Sequence, residues 1–280
     1  MRIPVLTYHS MTVHGNEYRN NDHVAFRDDL RTVTRLGYRI VSAVQVVAWH
    51  SAAGKTPASD GKFVAITFDD GPDFDFHDLP HPTWGMQRSM LNLMKDFRAE
   101  AGMEAQRGLH ATSFVIVSPD ARQLLDRTCM VGRDWWRDTW WQPAIHSGLL
   151  GIANHSWDHN HPTLPSTVSG EHRGTGSFTV IDDFDAAEGE IAKASGFLHA
   201  RAENPAAGLF AYPYGQANDY LTREYLPLNG ERIGVRAAFA CAPMPVTEIS
   251  DRWALPRYVH GDDWKSPDEL VALLRDASGA

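Results

Sequence analysis

Two adjacent carboxylates, Asp69 and Asp70, stand where a short apolar run, Val64-Ala65-Ile66-Thr67-Phe68, stops at a Gly71-Pro72 turn. Ionised carboxylates this close to a core are costly unless a cation or hydrogen bonds compensate them, and strand ends are where α/β architectures place their chemistry. A surface turn with two solvated aspartates is the plain alternative. A second stretch, Asn154-His155-Ser156-Trp157-Asp158-His159, sets two histidines four apart; on a helical turn that spacing puts both imidazoles on one face, able to grip one ion. Two imidazoles and a carboxylate are a common set for a catalytic zinc that keeps a position open for water. In a chain with 14 histidines the pair alone is weak. Combined with the Asp-Asp strand end, it points to a metal site.

The elements that must position these groups follow from local pattern. The run ending at Phe68 reads as a strand buried on both faces. Residues 3–7 read as a first strand with Tyr8-His9-Ser10 at its end, where His9 is read as a buried, hydrogen-bonded histidine in preference to one facing the metal pocket. Asn21-Asp22 can cap a helix striped by Phe26, Leu30 and Val33, and Ser42 a shorter one. Residues 54–61 read as a loop, and residues 73–85 as a polar loop of the functional kind. Met90, Leu91, Met94 and Phe97 stripe another helix; residues 111–117 form a strand, and Ser118-Pro119 starts the helix after it. Four of the nine tryptophans fall within residues 135–141, and Trp135 and Trp136 are candidate sugar-stacking faces, with plain core filling as the alternative. Residues 148–154 read as a strand delivering His155, residues 164–176 as a loop over the site, Phe184 to Leu198 as a helix stripe, residues 208–212 as a strand, and Ser266-Pro267-Asp268-Glu269 as the start of a last helix. Strands alternating with helices imply a mostly parallel sheet in a single domain spanning 1–280.

Thr67-Phe68-Asp69-Asp70-Gly71 followed by His155-Ser156-x-x-His159 resembles the first two motifs of the polysaccharide deacetylases, the NodB-homology carbohydrate esterases. Phe210-Ala211-Tyr212-Pro213-Tyr214-Gly215 is similar to the third motif, and Pro4-Val5-Leu6-Thr7-Tyr8-His9-Ser10 to the opening of one branch. The resemblance implies an irregular (β/α) barrel with fewer than eight strands and removal of N-acetyl groups from a sugar or polysaccharide by metal-activated water. It implies Asp70, His155 and His159 as ligands of one divalent metal, zinc first, with cobalt, nickel or iron as alternatives. It further implies Asp69 as general base, Pro213 and Tyr214 as substrate contacts with the Tyr214 N–H facing the oxyanion, and a late histidine, here His260, as general acid. One departure stands out. The arginine usual two residues before the motif's proline is Ala211 here, and Arg257 is the candidate to hold Asp69 instead.

Length and composition set the outer limits. The chain has 280 residues, enough for one large domain, and a formal charge of −9, which argues against a nucleic-acid partner but not against a neutral sugar. Its two cysteines, Cys129 and Cys241, read as free and structural. No apolar run approaches a membrane span of roughly 18 residues. Residues 1–10 show no signal peptide, so the chain as written reads as cytoplasmic, or extracytoplasmic if a leader was trimmed. Two other readings remain open: a related hydrolase of a cyclic amide, imide or small non-sugar metabolite, and a carbohydrate-binding pseudoenzyme.

Overall fold

A computed structural model describes residues 2–52, 61–164, 174–201 and 205–278. Seven parallel strands close into a barrel, in the order β1 (Val5–Tyr8), β8 (Leu255–Val259), β7 (Ala237–Cys241), β6 (Leu209–Ala211), β5 (Leu150–Asn154), β4 (Ala111–Val115) and β3 (Lys62–Phe68), with β3 pairing back onto β1. The register runs Tyr8 to Phe68, Phe68 to Ser113, and Val259 to Thr7. An eighth strand, β2 (Tyr38–Val41), pairs with the first half of β3, after which β4 takes over that edge.

Strand alternation divides the side chains into two sets. Val5, Ala65, Phe114, Ala153, Leu209, Ala211, Ala237, Phe239 and Leu255 pack together inside the barrel. Leu6, Tyr8, Ile66, Phe68, Val115, Ile152 and Tyr258 point outward and pack under helix residues such as Phe26, Leu30, Met94 and Leu270. Small residues dominate the interior because a narrow barrel must be filled by side chains, not left as a pore. Phe114 and Phe239 meet there at 5.7 Å, and the Arg257 guanidinium lies 5.3 Å over Phe114. Each fully buried side chain of that size stabilises the fold by about 1.5–3 kcal/mol.

Three helices form where their caps predict: Asn21 accepts from the N–H groups of His23 and Val24 at the head of helix Asp22–Arg35, and Ser42 and Ser118 cap Ala43–Ser51 and Pro119–Cys129, while Ser89 caps Met90–Ala101. Residues 73–85 are more ordered than a polar loop suggests, with a 3₁₀ turn at Asp73–Asp75 and a hairpin of Leu79–His81 on Gly85–Gln87. The helix striped by Phe184 to Leu198 is broken by a π-helical turn at Glu188–Ala192. The loops expected at 54–61 and 164–176 lie largely outside the described residues. No helix among the described residues is long and apolar enough to cross a membrane.

Candidate metal centre

Asp69 follows Ala65 and Thr67 on the interior face of β3 and arrives at the carboxyl mouth of the barrel. Pleating alone would send Asp70 to the opposite face. The chain prevents this by turning left-handed at Asp70 (φ 73°) and Gly71 (φ 70°). A side chain at Gly71 would also collide with the neighbouring strand, since a Cβ there would lie 2.4 Å from Val115 Cγ1. The carbonyl of Asp70 accepts from Ile116 N–H at 3.1 Å and from the indole Nε1–H of Trp136 at 3.0 Å.

That contact corrects the expectation for the tryptophans. Trp136 is buried and braces the Asp70 turn from behind, while Trp135 packs edge-on against Phe74 at 5.6 Å and accepts Asp73 N–H on its carbonyl. Neither lines the cavity at the barrel mouth. The segment folds inward because its apolar indoles gain more from the core than from a solvated wall.

The two histidines also converge by a route other than the one their spacing suggests. Residues 155–160 are not helical; Ser156, His159 and Asn160 all have positive φ, at 71°, 68° and 44°. Short side chains hold the loop. Asn154 Oδ1 accepts Ser156 N–H, Ser156 Oγ accepts His159 N–H at 2.8 Å, and Asp158 Oδ1 accepts Asn160 N–H at 2.9 Å. Left-handed backbone at ordinary residues persists only where its surroundings over-determine it, and such strain clusters at functional sites.

The result is compact. Nε2 of His155 and Nε2 of His159 each lie 3.6 Å from Asp70 Oδ1, and one ligand atom from each residue falls within 4.8 Å of the others. Ligands about 2.0–2.1 Å from a tetrahedral zinc stand roughly 3.3 Å apart, so the three groups fit a single divalent ion with little movement. His155 Nδ1 donates to the Ala211 carbonyl at 2.9 Å, which leaves its Nε2 lone pair facing the site. Burial lowers the pKa of His155 and holds His159 well below the ordinary histidine range, so both are neutral, the form that ligates. Among the described residues this is the single group with such a geometry.

Asp69 is fixed beside the ligands. Arg257 donates Nη1–H to Oδ1 at 2.7 Å and Nη2–H to Oδ2 at 2.8 Å, a two-pronged pair in which the guanidinium is fully buried and the carboxylate nearly so. Burial alone would raise the Asp69 pKa; the charge of Arg257 and its hydrogen bonds outweigh it and hold the carboxyl far below its usual range. Arg257 therefore occupies the place left empty by Ala211.

A cavity of about 300 Å³ opens over these groups, walled by His9, Asp69, Asp70, His155, His159 and Tyr214. Tyr214 stands at φ 57°, its ring 4.4 Å from that of His159, and Pro213 before it is buried. His260 is elsewhere. Its Nδ1 pairs with Asp22 Oδ1 at 2.9 Å and its ring packs on Tyr8 and Trp264. The reason is strand parity: Leu255, Arg257 and Val259 face the interior, so His260 falls on the outward set, whereas Val5, Thr7 and His9 form an inward series and deliver His9 to the cavity. His9 is half-buried, and although burial lowers its pKa, the charges of Asp70, Asp69 and Asp22 raise it above the ordinary value. Cys241, the inward end of β7, also lines this cavity and is exposed, in contrast to the structural role expected of it.

A closed barrel of seven parallel strands with ligand-type residues gathered at its carboxyl mouth matches the NodB-type (β/α) barrel deacetylases. The polysaccharide deacetylase family model matches residues 56–229, and the chain belongs to that family. Among solved structures, the Streptococcus pyogenes deacetylase PplD, in complex with acetate, superposes with a TM-score of 0.63 at 18% identity, covering 98% of each chain. The de-N-acetylase from Aggregatibacter actinomycetemcomitans gives 0.61 at 17% identity over 98% of this chain and all of its own, and IcaB from Ammonifex degensii gives 0.59 at 18% over 98% and 97%. At these identities the likeness speaks for the fold. No curated protein matches the chain.

Proposed function

We propose that the protein is a metal-dependent hydrolase that removes N-acetyl groups from an N-acetylated sugar or polysaccharide. Family membership supports a hydrolase of amide bonds. The observation that carries the finer reading is the meeting, in one cavity, of the Asp70-His155-His159 group and an Asp69 carboxylate held by Arg257. The acetate in the streptococcal neighbour is the product such a reaction would release.

Asp70, His155 and His159 would hold one divalent ion, with zinc suited to two neutral imidazoles and a carboxylate; when bound, it polarises the amide carbonyl and makes water nucleophilic near neutral pH. Asp69 takes the proton of the attacking water. Its grip on Arg257 keeps it ionised and fixes its orientation, and each carboxylate oxygen still has a lone pair free for that proton. His9, rather than His260, is the group placed to protonate the leaving amine, because it lines the cavity beside Asp69 and Asp70. The turn at Pro213-Tyr214 offers the Tyr214 backbone N–H to the developing oxyanion.

Acetate release from N-acetylglucosamine oligomers by chelator-stripped protein, with and without zinc or cobalt, tests the reading. Metal-dependent acetate is expected. Protein fully loaded with metal that releases none would overturn it and favour a cyclic-amide or small-metabolite substrate. The presence of ligands, base and a cavity histidine counts against a pseudoenzyme.

A further inference from the structure

The loop between the two candidate ligand histidines is strained, and one residue outside it holds two of its members in succession. Glu190 lies in the π-helical turn Glu188–Ala192, a feature that recurs at functional sites. Its carbonyl accepts Trp157 N–H at 2.8 Å, and its Oε2 accepts Asp158 N–H at 3.3 Å. Between these two held residues and the first histidine, Ser156 Oγ accepts the N–H of His159. The same turn grips the strand end before the loop: Asn154 Nδ2 donates to the Ile191 carbonyl at 3.1 Å. Glu190 is 1% exposed and Asp158 2%, so these bonds form out of reach of competing water.

We infer that Glu190 is the positioning residue of the metal centre: its carbonyl and carboxyl group hold Trp157 and Asp158 in the left-handed loop that turns both histidine Nε2 atoms toward one ion. The inference rests on the metal-dependent reading above. Glu190 touches neither ligand ring, so it acts through the loop backbone and not on the ion. Burial and the adjacent Asp158 push its carboxyl well above the usual range, toward the neutral form that both donates and accepts. Glutamine has the same shape and the same two capacities.

The test measures zinc affinity of the folded protein by competition with a chromophoric chelator, for wild type, Glu190→Gln, Glu190→Asp and Glu190→Ala, alongside the cobalt absorption spectrum. Glu190→Ala should weaken zinc binding about 10–100-fold and alter the cobalt spectrum, the range seen when an outer support of a ligand is lost. Glu190→Gln should stay within a few-fold of wild type. If Glu190→Ala does not fold, Glu190→Asp, which withdraws the carboxyl by one methylene, carries the test, with about tenfold weakening expected. A folded Glu190→Ala or Glu190→Asp protein with wild-type zinc affinity overturns the inference even if its melting temperature falls, since a merely structural role would lower stability alone. Wild-type protein that binds no zinc would instead defeat the metal-dependent reading.

Discussion

Asp69 and His9 stand side by side at the ends of neighbouring strands with opposite tasks in the proposed reaction, and substitutions separate them from their neighbours. Asp69→Asn should keep the metal and lose turnover by about 10²–10⁴, whereas Asp70→Ala or His155→Ala should lose the metal itself; metal content by mass spectrometry, read beside acetate release, distinguishes the two outcomes. His9→Ala should lower kcat by a similar factor at full metal content. His260→Ala leaves Asp22 short of a partner, so it should cost about 1–3 kcal/mol in urea denaturation while changing kcat/KM far less than His9→Ala; a larger loss of activity at His260 than at His9 would reverse the assignment. Removing Arg257 strands a buried carboxylate, and Arg257→Gln should destabilise by about 3–5 kcal/mol. The motif residues Asp69, Asp70, His155 and His159 were legible because their types and spacing are unusual together. His9 and His260 were not, since a histidine near a strand end carries no label saying which face it takes.

At the scale of elements, local rules were readable wherever the physics is local. Asn21, Ser42 and Ser118 cap the helices they precede, because a side-chain oxygen satisfying a free N–H needs only its own sequence neighbours. The loop 155–160 shows the limit: a spacing of four is also met by a non-helical turn when Asn154, Ser156 and Glu190 supply the bonds. The β3 bend is a sharper case. Gly71→Ala should destabilise by about 2–4 kcal/mol, from the left-handed backbone and the collision with Val115, and should weaken metal binding by displacing Asp70. A second element-level effect concerns His110 at the entrance to β4. Burial lowers its pKa to about 4, against about 6.5 in the unfolded chain. The unfolded state therefore binds more protons between those values, so stability is full above pH 6.5 and falls as pH drops toward 4. Urea midpoints across that range should show the decline in wild type and a shallower one in His110→Leu.

For the whole molecule, barrel closure brings β1, β3, β5, β7 and β8 to one mouth from positions 9, 69, 155, 241 and 257. Binding of an ion by the native state alone couples that mouth to global stability. At zinc 100-fold above its Kd the gain should be about 2.7 kcal/mol, several degrees in Tm for a chain of this size, and chelation should reverse it; a Tm indifferent to both zinc and chelator would count against a site formed only on folding.

By itself the sequence determined the alternation of strands and helices, the helix caps, the carboxylate and histidine pairs, and through them the family, because each is set by residues close together in the chain. Only the tertiary structure decided which side chains share the cavity. That choice depends on inward and outward parity around a closed barrel: Val5-Thr7-His9 and Ala65-Thr67-Asp69 run inward together, Arg257 reaches Asp69 from the far side of the sequence, and His260, one residue past an inward Val259, is turned away into the packing beneath the helices.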